Sequence, residues 1–323
     1  MHSVKRVRTS AEAQASRKRK EAVKIVEYRG LVDQIVKARN NKDYSHEALT
    51  LTTTLLRQNP EYYTIWNYRR EILTTQYEMI LDKDQVQAQL KSELEFLFSR
   101  LREFPKCYWI WNHRQWCLQV SPKPDWKFEL GLVTKMLEYD ARNFHGWHYR
   151  RYVVAQLESA TGKSLARQEF DYTTTKINSN FSNFSAWHNR TKLIPRLLKK
   201  EPSLDAVELL GQELNLITQA IYTDPDDQSV WLYHRWLVAT DGIIHLDIES
   251  RSSLVEKEIK SIEDLLSVEP NSKWCLQSLA FYKEYLSKLT GSKVDESVKE
   301  YLSKLESIDP MRRNRYRDLR NEL

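Results

Sequence analysis

A tryptophan returns along this chain at a period that only paired helices fit. Trp66, Trp111, Trp147, Trp187 and Trp231 lead five related segments, and a weaker sixth begins at Trp274; the steps are 45, 36, 40, 44 and 43 residues. The segments read Trp66-Asn67-Tyr68-Arg69-Arg70, Trp111-Asn112-His113-Arg114, Trp147-His148-Tyr149-Arg150-Arg151, Trp187-His188-Asn189-Arg190 and Trp231-Leu232-Tyr233-His234-Arg235. Six residues before three of them stand Pro60, Pro105 and Pro225, while Asp140 and Asn180 punctuate the other two one residue earlier. Upstream of each stop runs a helix-period stretch: Ala48, Leu51, Leu55 and Leu56 in the first unit, and Val86, Leu90, Leu94, Leu97, Phe98 and Leu101 in the second;. In the sixth, Ser253 and Glu256 have the spacing of a capping box before Ile259 and Ile262;. Each unit therefore reads as a helix, a stop and a second helix carrying the tryptophan, within the 34–47-residue size range of α-solenoid repeats. The expectation is an all-α fold, a right-handed superhelix of about six to seven helical hairpins over residues 28–323, preceded by a basic arm at 1–27.

Composition closes off the alternatives. Seven glycines in 323 residues are too few for glycine-rich turn folds or dinucleotide-binding loops;. Residues 1–30 hold nine Lys/Arg against three Asp/Glu, so the whole net charge of +6 belongs to the arm and the body is neutral. A neutral body argues against a nucleic-acid groove, which would put its basic excess on the folded part. No apolar run is long enough for an integral membrane segment. Three cysteines, Cys107, Cys117 and Cys275, with no CxxC spacing, fit a reducing, cytoplasmic or nuclear compartment;. No metal-protease, phosphate-loop or nucleophile-elbow motif occurs, and His145 and His148 have no cysteine or acidic cluster beside them;. Read from its residues, the chain is a scaffold or a subunit that completes a site owned by another chain.

Trp-x-x-Arg has a packing logic. Positions i and i+3 share a helix face, so the indole fills space between hairpins and the arginine fork pairs with a carboxylate or with helix-end carbonyls. Trp66, Arg69, Trp111, Arg114, Trp147, Arg150, Trp187, Arg190, Trp231 and Arg235 are accordingly assigned to repeat stacking. Chemistry is expected where one repeat differs from the others.

The repeat Pro-x-x-x-x-x-Trp-x-x-Arg resembles that of the protein prenyltransferase α-subunit family, from about Tyr28 to the C-terminus. Asp140-Ala141-Arg142-Asn143-Phe144-His145-Gly146-Trp147, Ser182-Asn183-Phe184-Ser185-Ala186-Trp187 and the opening Met1-His2-Ser3-Val4-Lys5-Arg6 are most similar to the Rab geranylgeranyltransferase (type II) branch. The farnesyltransferase and type I branch usually has Lys-Asn-Tyr where Arg142-Asn143-Phe144 stands. The sequence departs from the pattern at Ser3, where glycine is common, at the fifth motif, with arginine one place late, and at Trp274-Cys275-Leu276-Gln277, which has none. The sequence stops soon after Asp309-Pro310, as in the compact fungal-type form without added domains.

The resemblance implies a helical-repeat subunit wrapped around a prenyltransferase β subunit, which holds a catalytic zinc and the lipid pocket. It implies transfer of geranylgeranyl from geranylgeranyl diphosphate to C-terminal cysteines of Rab GTPases presented by a Rab escort protein, in the cytoplasm. Arg142 occupies the family's diphosphate-facing cation position, and its equivalents in the other repeats vary: Glu61, Lys106, Ser182 and Asp226. On this reading Arg142 stabilises the leaving diphosphate, Lys106 is a second cation, and Asn143, Phe144 and His145 line the same mouth; the plainer reading is a surface arginine paired with Asp140. His2 is a candidate ligand for the open position of the partner's zinc, with Lys5, Arg6 and Arg8 drawn to the anionic pocket; the alternative is a basic tail. The rival assignments are the farnesyltransferase/type I α subunit and a tetratricopeptide-like interaction scaffold, whose repeats run near 34 residues.

Overall fold

A computed structural model describes residues 10–80, 82–240 and 244–323. His2, Lys5, Arg6 and Arg8 lie outside the described residues. Among the described residues the regular elements are fifteen α-helices and one short 3-10 turn. Helix α1 (Ala11–Asn40) comes first, and the boundary expected at residue 27 falls inside it: Ala11 to Glu27 are exposed, Tyr28 is partly covered and Ile35 is buried. The hairpins follow as α2 (His46–Gln58) with α3 (Tyr63–Met79), α4 (Lys83–Glu103) with α5 (Tyr108–Val120), α6 (Trp126–Tyr139) with α7 (Phe144–Thr161), α8 (Ala166–Ser179) with α9 (Phe184–Lys200), α10 (Ala206–Thr223) with α11 (Gln228–Ala239), and α12 (Ile248–Val268) with α13 (Lys273–Thr290). A seventh pair, α14 (Ser297–Ile308) and α15 (Arg313–Asn321), is joined through the 3-10 turn Pro310–Arg312. The chain divides into two compact units: one runs to Thr134 and includes His148–Val153, the other comprises Lys135–Trp147 and Val154–Leu323.

The punctuators act as the sequence implies. First helices end at Gln58, Glu103, Thr223 and Val268, each two residues before a proline. The residue before proline is pushed out of helical geometry, and proline has no N–H to continue the ladder. One carbonyl of each turn has a fixed donor. The indole N–H of Trp66 donates to Pro60 O at 2.8 Å, Trp111 to Pro105 O at 3.0 Å, Trp147 to Ala141 O at 2.9 Å, Trp187 to Phe181 O at 2.7 Å and Trp231 to Pro225 O at 2.8 Å. The six-residue offset is therefore a hydrogen bond that ties the turn to the second helix. In the sixth unit Pro270 stands only four residues before Trp274, and the buried Trp274 indole N–H has no partner among the described residues.

Two expectations are corrected. Helix α12 begins at Ile248 with Asp247 as its cap, so Ser253 and Glu256 lie within the helix rather than forming a capping box. Phe98 is 42 % exposed, whereas Val86, Leu90, Leu97 and Leu101 form the buried stripe. An α-helical face about 100° wide reaches three or four residues per two turns, and Phe98 sits at its edge.

The repeat arginines are buried at the nodes between hairpins. In the first unit, Arg69 Nε and Nη2 grip Glu93 of α4 at 2.7 and 2.6 Å, while its Nη1 donates to Thr52 and Thr53 of α2, both at 2.7 Å. Arg114 grips Glu129 of α6 at 2.8 and 2.6 Å and donates to Leu94 O at 2.9 Å. Arg150 Nη1 donates to Thr134 Oγ1 at 2.7 Å. In the second unit, Arg190 grips Glu213 of α10 at 2.6 and 2.5 Å and donates to Thr173 and Thr174. Three of these glutamates take a further donor two residues after the next tryptophan: His113 on Glu93, Tyr149 on Glu129 and Tyr233 on Glu213. In the fifth unit the parts differ: His234 lies 2.9 Å from Glu258 at the node, and Arg235 packs on the next hairpin by stacking over the Phe281 ring at 3.5 Å. Arginine one place late points about 100° around the helix, away from the carboxylate.

These nodes make stability pH-dependent. Burial alone would raise the Glu93 carboxyl, but the charge and hydrogen bonds of Arg69, joined by His113, hold it down at about 2 against an ordinary 4.5. A depressed carboxyl contributes stability above its unfolded pKa and loses it as pH falls through the folded value. Stability from this node is therefore expected to decline between about pH 4.5 and pH 2;. Urea midpoints across that window test it: Glu93→Gln should start lower and lack this part of the slope.

Candidate functional site

The turn between α6 and α7 carries the residues singled out by sequence. Asp140 ends the first helix, and its side-chain oxygen accepts the Arg142 backbone N–H at 3.3 Å while its carbonyl accepts the Asn143 N–H at 3.1 Å. Asn143 then caps α7, its side-chain oxygen accepting from the N–H groups of His145 at 3.0 Å and Gly146 at 3.3 Å. Gly146 allows close approach to the first helix: a Cβ there would come 3.1 Å from Leu137 Cδ2. The turn is thus fixed from three sides, by Asp140, by the Asn143 cap and by the Trp147 indole on Ala141 O.

Out of this fixed turn project Arg142 and Phe144. Arg142 is exposed, and among the described residues its guanidinium has no hydrogen bond or ion pair, so the pairing with Asp140 uses only its backbone N–H. Phe144, 56 % exposed, lies with its ring 3.9 Å from that of His145. His145 and Asn143 themselves are buried, at 5 % and 4 % exposure. The structure therefore brings a solvent-facing cation and an aromatic face to the positive end of a helix, supported from beneath by the capping asparagine and the buried histidine. An anion is favoured at such a helix N-terminus, and the guanidinium adds a full charge. Lys106 occupies the equivalent turn between α4 and α5 and is exposed; the cap there, Cys107, makes no side-chain capping hydrogen bond.

Burial pushes the Cys107 thiol up to about 11, and Cys117 and Cys275 are raised and buried as well, so none of the three is a ready nucleophile;. Among the described residues no three His, Cys, Asp or Glu side chains come together as a metal site. No helix of the described residues is long and apolar enough to cross a membrane.

Sequence reasoning missed the glutamates. Glu93, Glu129, Glu169 and Glu213 each stand 18 residues before a repeat tryptophan, and all four are buried. The signal was a charged residue at constant offset inside an otherwise apolar stripe, a pairing that a buried arginine requires.

The first five hairpins match the family described as "Protein prenyltransferase alpha subunit repeat" at residues 39–76, 90–120, 126–157, 166–197 and 210–241. The chain belongs to the protein prenyltransferase alpha subunit family. It is 46% identical to the geranylgeranyl transferase type-2 subunit alpha of Schizosaccharomyces pombe over 100% of this chain and 98% of that one. The protein of the same description from Saccharomyces cerevisiae is 38% identical, with 98% of each chain covered. The human protein so described is also 38% identical, over 74% of this chain and 42% of its own. Among solved structures, Candida albicans protein geranylgeranyltransferase-I complexed with GGPP is similar with a TM-score of 0.68 and 22% identity, covering 92% of this chain and 90% of that one. That likeness bears on the fold. Membership of an alpha-subunit family implies a β-subunit partner.

Proposed function

We propose that this chain is the α subunit of a geranylgeranyltransferase of type II, which with its β subunit transfers geranylgeranyl from geranylgeranyl diphosphate to C-terminal cysteines of Rab GTPases presented by a Rab escort protein in the cytoplasm. The single observation that carries this reading is the near full-length match, at 46% identity over 98% of the relative's length, to a type-2 subunit alpha. The exposed Arg142 on a rigidly built turn is the structural feature that accords with it.

In this reaction the thiolate sulfur attacks C1 of the lipid, the C1–O bond breaks and diphosphate leaves with the bonding pair. In this reading zinc is held by the β subunit, where it would keep the acceptor cysteine deprotonated. What this chain contributes is charge stabilisation of the leaving group. A guanidinium presents donors in a planar fork that matches phosphate oxygens, and a fixed cation stabilises charge as it develops without reorganising. Arg142 has the freedom to do so because no carboxylate of the described residues occupies it. Asn143 and His145, being buried, support Arg142 by holding the turn, and Phe144 offers an apolar face to the isoprenoid chain. Lys106, exposed on the equivalent turn of the first unit, is a further candidate cation. The sequence between Asp140 and Trp147, with arginine and phenylalanine where the farnesyl and type I branch has lysine and tyrosine, favours the type II assignment.

Reconstitution tests this. The chain co-expressed with a type II β subunit is expected to form a 1:1 heterodimer that transfers tritiated geranylgeranyl to an escort-bound Rab GTPase, and to leave a CaaX peptide unmodified. Transfer to the CaaX peptide with a type I β subunit, or no transfer to the GTPase, would overturn the assignment.

A further inference from the structure

Neighbouring arginines on α3 have opposite environments. Arg69 is buried and fully matched by Glu93 and two threonines. Arg70, one residue on, is half-buried, and among the described residues it donates only to the Asn67 side-chain oxygen, at 2.5 Å. It lines a groove of about 590 Å³ in the first unit, with Tyr44, Asn67, Thr74, Thr75 and Trp116 around it. Glu71 and Glu78 also line the groove, yet no ion pair to Arg70 forms among the described residues; Glu71 instead lies 4.0 Å from Arg39. Burial lowers the Arg70 pKa from its ordinary value, the sign of a cation taken partly out of water without a compensating carboxylate. Every other arginine described above as buried at a node has an acceptor set built for it. A half-desolvated guanidinium with one neutral acceptor is the arrangement of a cation waiting for its counter-charge.

The groove is open and shallow rather than enclosed, which suits a protein surface better than a small molecule. Half-buried Trp116 and Tyr44 give it aromatic walls, and Thr74, Thr75 and Asn67 line it along with Arg70. An aromatic-walled groove around an arginine has the composition of an interface hot spot. We propose that this groove seats an acidic side chain of the β subunit, a carboxylate pairing bidentately with Arg70. This rests on the heterodimer reading given under Proposed function.

The test uses the assembled heterodimer. The three native cysteines are all buried, so a single introduced cysteine reports its own surroundings. Thr74 lines the groove, and Thr54 is exposed on α2; both are exposed in the chain by itself. In the heterodimer, Thr74→Cys is expected to react with a maleimide at least about tenfold more slowly than Thr54→Cys, because a seated partner excludes the reagent. In dilution experiments Arg70→Glu should raise the heterodimer Kd about 100-fold and Arg70→Lys by less than about tenfold, the first losing the pair and placing like charges together. Circular dichroism of each heterodimer at high concentration confirms that the helices remain. Equal labelling of the two cysteines, or an unchanged Kd for Arg70→Glu, overturns the proposal. Protection that arises only when the GTPase substrate is added assigns the groove to the substrate and overturns it too. Failure of the wild-type chains to associate would instead strike the heterodimer reading itself, a separate outcome.

Discussion

Arg114→Ala is expected to cost about 3–5 kcal/mol of stability, because it leaves a buried carboxylate with its main counter-charge removed. Arg114 and Glu129 are each only 1 % exposed, and the fork closes at 2.8 and 2.6 Å. Without the guanidinium, Glu129 keeps one neutral donor, the Tyr149 hydroxyl at 2.6 Å. The Leu94 carbonyl, which Arg114 Nη1 now serves at 2.9 Å, loses that donor as well. A loss of this size is a large share of a typical folding stability of about 5–15 kcal/mol. The measurement is urea unfolding of the heterodimer followed by circular dichroism. Removing both charges separates cause from packing: Arg114→Met with Glu129→Leu should recover most of the loss, since an apolar pair of similar volume avoids the unpaired charge. If the double variant is as unstable as Arg114→Ala, the damage comes from lost volume and the electrostatic account fails. Arg114→Lys should fall between, keeping the charge and losing the bidentate geometry.

The second large effect is on catalysis. Arg142→Ala is expected to lower the rate of geranylgeranyl transfer about 10- to 100-fold, as removal of a fixed charge-stabilising donor does elsewhere. Folding should be unaffected, because the Arg142 side chain has no partner among the described residues and the turn is held by its backbone N–H, by the Asn143 cap and by Trp147. Arg142→Lys should keep more activity than alanine, since a point charge survives although the fork does not. Single-turnover kinetics divide the contributions. A loss confined to lipid affinity would mean that Arg142 binds the diphosphate equally in the ground state, and a loss in rate at saturating lipid would mean stabilisation of the leaving group. An Arg142→Ala enzyme with unchanged affinity and unchanged rate would remove Arg142 from the mechanism.

The hairpin architecture was legible in the sequence because its signals are local. A helix stripe needs only apolar residues at three- and four-residue spacing, and a stop needs only a proline. The period of Trp66 through Trp231 is legible in the sequence, but not the contact behind it: each indole holds the turn carbonyl six residues back. The capping box at Ser253 failed because capping patterns also occur inside helices, and Asp247 starts α12 earlier. Arg142 was picked out as the position where repeats differ, and the structure leaves it exposed on a firmly held turn.

The sequence by itself determined the helical period, the neutral body and the family, since these depend on residue type and spacing along one dimension. Tertiary structure decided which charges are spent. Arg69 and Arg70 are the same residue one step apart, and nothing in their order says that one meets Glu93 across a hairpin and the other faces an open groove. Likewise Asn143 and His145, next to Arg142 in sequence, turn inward to cap and support α7 while Arg142 turns outward. A rotation of about 100° per residue sends neighbours to different surroundings, and only the packing of one helix on the next decides which of those surroundings holds a partner.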